Sequence, residues 1–285
     1  MRSGLRSRRA SRHAPLPFEA YGISSRRRLG VGRPKRLLGR ERQHLSGRRA
    51  LVIGSGGGIG AALVERLVAS GRFDRIYAGN RRPHSSRHPS VTRLTIDILD
   101  DDTLAEAGRQ IAPDGALDLL IVATGLLHRG PDIRPEKSLK QLDASTMSEV
   151  FAVNSIGPAL AAKHFLPLLA RRQRAVAIFL SARVGSIADN RLGGWHSYRA
   201  SKAALNALVR CFAIEFGRSN PDAIVAALHP GTVDTPLSEP FQARLAGSSL
   251  SSADLSASRI LTVADQLSPT DSGGFFGWDG RPIPY

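Results

Sequence analysis

Read as a pattern of apolar and polar positions, the chain changes character at residue 50. Before that point no long periodic apolar pattern occurs; beyond it, short unbroken apolar runs alternate with amphipathic ones. ALVIG (50–54) has the length of a buried strand, and IGAALVERLVAS (59–70) spaces its apolar residues as one helix face does. RIYAG (75–79) and VTRLTI (91–96) predict strands, DTLAEAGRQI (102–111) a helix, and ALDLLIVAT (116–124) a further strand. A long helix is expected over 146–170, a strand at AVAIFLS (175–181) and a helix over 197–217. AIVAALH (223–229) and SGGFFGW (272–278) complete the set as strands. Continuously apolar strands separated by helices predict the α/β class, a Rossmann-type doubly wound parallel sheet covered on both faces. With no internal repeat or second linker, one domain is expected over 50–285, behind an extension at 1–49.

Charge first suggests a different partner, and its distribution then removes most of that suggestion. The net charge of the 285 residues is +16. Residues 1–49 hold 14 arginines and Lys35 against Glu19 and Glu41, which is +13, and the remainder carries only +3. A segment this rich in Arg, Ser, Gly and Pro buries too little surface to offset its ordering entropy, and disorder is expected there. It reads as an organellar transit peptide, a nucleic-acid-binding arm, an extension upstream of the true start, or a functionless solvated tail. Only Phe18 and Tyr21 interleave its charges and the domain has no second basic face, so nucleic acid is the weakest of these partners. The lone Cys211 excludes an intramolecular disulfide, fits a reducing, cytoplasmic setting, and sits in an apolar stretch that predicts a buried thiol. No apolar run approaches the roughly 18 residues of a membrane span, and the histidines show no metal-ligand spacing, so neither membrane insertion nor a metal site is expected.

The chemistry begins directly after the first strand, at GSGGGIG (54–60). Glycines there allow a tight turn and close backbone approach to a pyrophosphate, while the following helix offers free N–H groups and the positive end of its dipole. Between a first strand and a first helix, this loop points to dinucleotide binding. After the second strand an acidic residue would select the ribose 2′-hydroxyl of NAD; the chain instead reads Asn80, Arg81, Arg82. Guanidinium groups suit a 2′-phosphate, so NADP(H) is expected ahead of NAD(H), with Arg81 the contact. Two solvated loop arginines are the plain alternative. Tyr198 and Lys202 stand at i and i+4 on a predicted helix, close enough for the ammonium to favour the phenolate and pull the tyrosine below its ordinary value of about 10. Such a tyrosine is a usable acid for a carbonyl or base for an alcohol. Asp100, Asp101 and Asp102 read as a helix N-terminal cluster. Trp195 and His196 read either as a substrate wall or as loop packing.

These features, taken with Asp97, VATG (122–125), FAVN (151–154), YRASK (198–202) and HPGTVDT (229–235), resemble the short-chain dehydrogenase/reductases over essentially the whole of 50–285. Finer details, ATGLLH, SARVGSIADNRLGGW and SGGFFGWDG, resemble the subgroup of C-factor-like proteins and sniffer-type carbonyl reductases. The resemblance implies that Gly54, Gly58, Ile59 and Gly60 hold the pyrophosphate, with Ser55 among the cofactor contacts. It places Asp97 and Ile98 at the adenine, Ala123 and Gly125 beside the adenine ribose, and Val233 and Thr235 at the nicotinamide carboxamide. Tyr198 would be the general acid/base, Lys202 would bind the nicotinamide ribose, and Asn154 would hold a water of a proton relay. The family's substrate-polarising serine falls on Ala182, leaving Ser181, one residue earlier, or Ser186 as candidates. The implied activity is reduction of a small carbonyl, or oxidation of the alcohol, by a homodimer or homotetramer; Ala182 keeps open a low-activity NADP(H)-binding regulatory protein instead. Residues 236–258 are expected to be an irregular, Ser-rich lid over the substrate.

Overall fold

The computed structural model describes residues 47–82, 86–240 and 250–285. The disorder expected of the extension therefore falls, for 1–46, outside the described residues. The first half of the domain runs β1 (Arg49–Ile53), α1 (Gly58–Ser70), β2 (Arg75–Asn80), β3 (Val91–Thr95), α2 (Asp101–Ile111) and β4 (Leu119–Val122). The second half runs α3 (Ala144–Phe151), α4 (Gly157–Phe165), β5 (Ala175–Leu180), α5 (His196–Gly217), β6 (Ala223–His229), β7 (Thr232–Val233), β8 (Leu250–Ser251), α6 (Ala253–Gln266) and β9 (Phe275–Gly277).

Seven strands form one sheet in the order β3-β2-β1-β4-β5-β6-β9, and every pairing in it is parallel. The unbroken apolar runs follow from burial on both faces. Leu51 and Ile53 of β1 enter a core shared with Leu104 of α2, Phe165 of α4 and Val209 of α5. Their neighbours Ala50 and Val52 enter the opposite core, with Leu63 and Leu67 of α1 and Ile260 of α6. All six residues of β5 are buried. Strand order reverses between β1 and β4, which places the binding crevice of an open α/β sheet beyond their C-terminal ends.

Four departures from the expected elements have local causes. The single helix expected over 146–170 is broken into α3 and α4 by a π-turn at Ala152–Ile156. Pro158 has no N–H to offer the Asn154 carbonyl four residues back, and the Gly157 N–H bonds Ala152 instead, five back. The folded unit also starts earlier than residue 50: Arg49 pairs with Arg75, and the Arg48 guanidinium lies 4.7 Å from the Phe73 ring centroid. The Ser-rich run expected to be irregular to 258 is helical from Ala253, because Ser252 caps α6 by accepting the Leu255 N–H at 3.1 Å. Cys211 is exposed on the outer face of α5, not buried; its apolar neighbours in sequence lie on other faces of the helix. The aspartate cluster does start α2, with Asp100 accepting from the N–H groups of Asp102 and Thr103. No helix among the described residues is long and apolar enough to cross a membrane.

Candidate cofactor cradle and active site

The loop between β1 and α1 folds back on the sheet. Gly54 and Ser55 both donate their N–H to the Gly79 carbonyl, at 2.8 and 3.1 Å, and the buried Ser55 hydroxyl donates to the same oxygen at 3.1 Å. Gly54 takes φ +87°, and a Cβ built on Gly60 would lie 2.1 Å from the Gly54 carbonyl oxygen, so neither position tolerates a side chain. The N-terminus of α1 has Gly57 at its cap with no side-chain hydrogen bond, leaving the first-turn N–H groups of Gly58, Ile59 and Gly60 without a side-chain cap. Thr235 stands across from this turn: a Cβ on Gly58 would meet its Cγ2 at 2.7 Å. The buried Thr124 hydroxyl, in the strip after β4, has no protein partner among the described residues. A backbone cradle, an uncapped helix start and an orphaned hydroxyl fit a bound pyrophosphate and ribose.

Around the crevice, Asp97 accepts the Leu99 N–H at 3.0 Å, and the buried Ile98 packs against α4 at Gly157. Ala123 lies at the end of β4, and a Cβ on Gly125 would stand 3.7 Å from both Asn154 Oδ1 and Lys202 Nζ. Val233, in the short strand β7, is buried. Arg81 is exposed just past β2.

Four side chains meet at the start of α5. Asn154, fully buried in the π-turn, accepts the Leu126 N–H at 2.7 Å and donates to the Leu126 carbonyl at 2.8 Å and to the Ser201 hydroxyl at 3.0 Å. Ser201 in turn donates to the Tyr198 carbonyl at 2.8 Å. Lys202 is buried beside it, donating from Nζ to the Leu180 carbonyl at 2.9 Å, with its ammonium 6.0 Å from the Tyr198 ring centroid. Burial pushes the Tyr198 phenol above its ordinary value and lowers Lys202 to about 8. The depression of Tyr198 expected from the i, i+4 spacing is thus reversed here, because desolvation of the phenol outweighs an ammonium that is itself turned toward Leu180.

Residues 48–246 match the profile of the short chain dehydrogenases. The chain belongs to this family. An uncharacterised oxidoreductase of Schizosaccharomyces pombe is 27% identical over 254 residues, which is 82% of this chain and 96% of that protein. The C-signal protein of Myxococcus xanthus is 34% identical over 149 residues, 52% of this chain and 84% of that protein. Among solved structures, an NADPH-bound carbonyl reductase from chicken fatty liver superposes with a TM-score of 0.72 at 29% identity, covering 84% of this chain and 94% of that one.

Ala182 occupies the position at which the sequence resemblance leads one to expect a serine. Its backbone is extended, at φ −144° and ψ 142°. Ser181, the first sequence candidate, is buried and gives its hydroxyl proton to Asn206 Oδ1 of α5 at 2.7 Å. Ser186 is also buried, and its oxygen accepts the Asp189 N–H at 3.0 Å, which leaves its own proton to donate.

Sequence reasoning missed Glu136. This buried carboxylate, in the loop after β4, accepts the Ser197 N–H at 3.2 Å and the Ser197 hydroxyl, so it caps the helix that carries Tyr198. Its carbonyl accepts the N–H of Trp195, which is held at φ +52° with its ring edge-on to Tyr198 at 6.3 Å. A lone acid in a loop gives no signal of its own. The only hint was α5 itself, a helix whose cap position is a tryptophan and so lacks a side-chain acceptor.

Proposed function

We propose that this short chain dehydrogenase is an NADP(H)-dependent oxidoreductase that reduces a small carbonyl compound, or oxidises the corresponding alcohol. The observation that carries the reading is the convergence of Tyr198, Lys202 and Asn154 at one end of the crevice that begins at the glycine loop. When bound, the cofactor supplies the hydride. Tyr198 Oη gives a proton to the substrate oxygen in reduction and takes one back in oxidation. Lys202, buried next to the phenol, orients the ribose side of the crevice and favours the phenolate whenever its ammonium turns toward the tyrosine. Asn154, fixed by three hydrogen bonds including both backbone groups of Leu126, anchors a solvent path behind Lys202. The preference for the phosphorylated cofactor rests on Arg81, on the lack of an acid after β2, and on the NADPH held by the chicken relative.

The test follows NADPH oxidation over a panel of aldehydes, ketones and quinones, with Tyr198→Phe alongside. Loss of the phenolic proton is expected to cut kcat by about 10²- to 10⁴-fold, with the NADPH Kd little changed. Turnover that survives the substitution would refute the proposed acid. NADH binding as tightly as NADPH in a titration would remove the role given to Arg81. Ala182 favours a second reading, a regulatory NADP(H)-binding protein with little turnover, and tight cofactor binding with no activity on any carbonyl would select it.

A further inference from the structure

A cavity of about 570 Å³ opens at the C-terminal ends of β6 and β9, and its walls include Arg183, His229, Arg259, Trp278 and Arg281. Two of those walls begin beside residues of the candidate site. Arg183 directly follows Ala182, and Thr232, also in the lining, directly precedes Val233. Two loops that carry candidate-site positions, the one after β5 and the one after β6, thus also contribute to the cavity lining.

Three guanidinium groups line it against a single carboxylate, Asp279. Two of the arginines are already matched: Arg183 Nε reaches Asp189 at 2.6 Å, and Arg281 lies 3.6 Å from Asp279. Arg259 is not, for among the described residues it forms no ion pair. Its guanidinium carbon lies 4.0 Å from the ring centroid of Trp278, and Nη1 donates to the Ser251 hydroxyl at 3.0 Å. The stack fixes the plane of the group without neutralising it, and among the described residues its other N–H donors have no protein acceptor. Trp278 in turn packs over Gly231, which anchors the platform to the loop after β6. His229 adds a neutral donor or acceptor: its Nδ1 is buried with no partner among the described residues, and burial together with Arg183 lowers the imidazole to about 4.

We propose that this cavity receives a carboxylate carried by the carbonyl substrate, with Arg259 its principal contact and Trp278 the platform that orients Arg259. The assignment rests on the oxidoreductase reading above and narrows its substrate class to carbonyl compounds bearing an anionic group.

The full chain, with NADPH, is assayed on 4-formylphenylacetate and on its methyl ester, which differ in charge while a methylene insulates the aldehyde from that difference. The wild type is expected to prefer the acid by about tenfold in kcat/KM, the scale of one hydrogen bond to a charged group. In Arg259→Gln the ratio falls to about one, and Arg259→Lys restores part of it. A wild-type ratio near one, or a ratio unmoved by Arg259→Gln, overturns the proposal. If neither aldehyde turns over, calorimetric titration of the NADPH-loaded chain with benzoate decides: binding weakened about tenfold by Arg259→Gln supports the site. No binding, or binding that ignores the substitution, sinks it. Tyr198→Phe separates the two readings, since persistent turnover there defeats the oxidoreductase mechanism while leaving the charge preference intact.

Discussion

Lys202 carries a pH signature that can be measured without any substrate. Burial lowers it from 10.5 to about 8 in the folded chain. Below about pH 8 both folded and unfolded chains hold the proton, so the full cost of burying the ammonium is present. Between about 8 and 10.5 the unfolded chain keeps a proton that the folded one has released, so stability rises with pH across that window. From pH 7.5 to 9.5 the free energy of unfolding should therefore rise by about 1–2 kcal/mol more in the wild type than in Lys202→Met. The upward shift of Tyr198 acts only above its ordinary value of 10 and stays outside this range. Denaturant titrations at the two pH values check it, and an equal gain in both proteins would mean that Lys202 is not desolvated as described. The spacing Y-x3-K made this pair legible in the sequence because a helix repeats its faces every three to four residues. The same rule could not reveal which way the ammonium turns, since the Leu180 carbonyl that receives it arrives from a strand 22 residues earlier.

At the scale of elements, the alternation of strand and helix was readable because each fully buried strand writes an unbroken apolar run. The interruption between α3 and α4 was not, although its causes are local. FAVNSIGP has a continuous helical apolar pattern, and only the missing N–H of Pro158 and the contact at Gly157 turn it into a π-turn. That turn sets the rotation at which Asn154 reaches Leu126 and Ser201. Gly157 links it to Ile98, which the sequence resemblance leads one to expect at the adenine. A Cβ there would stand 2.7 Å from Ile98 Cγ1 and 2.9 Å from the Ile98 carbonyl oxygen, and the second of these is backbone that cannot swing aside. Gly157→Ala is accordingly expected to cost about 1–3 kcal/mol of stability and to weaken NADPH binding by displacing Asp97 and Ile98. Thermal unfolding and a fluorescence titration of NADPH read the two effects. A variant with lower stability and an unchanged Kd would remove the adenine role expected of Asp97 and Ile98. The Glu136 cap on α5 shows the opposite limit of legibility, for its partners lie 61 residues apart and neither carries a recognisable pattern.

For the whole molecule, the charge changes close to the start of the first strand. The stretch from residue 50 on carries +3, whereas residues 1–49 carry +13. The family profile starts at residue 48 and the first strand at Arg49, so the last arginines of the basic stretch serve the domain. Arg48 lies over Phe73, and the Arg49 N–H donates to Asp118 at 2.9 Å. A basic segment bound to phosphates releases counterions, which makes its affinity fall steeply with salt, while a nearly neutral domain has no such slope. Deleting residues 1–46 is therefore expected to leave the NADPH Kd and the melting temperature of the domain unchanged. Any retardation of a DNA duplex by the full chain in a gel should be lost with the same deletion and should weaken steeply between about 50 and 200 mM salt. If the deletion instead lowers the melting temperature or the NADPH affinity, the extension contributes to the domain. Retardation that persists without it would place a basic face on the domain, where the balance of 25 basic against 22 acidic side chains gives no reason for one.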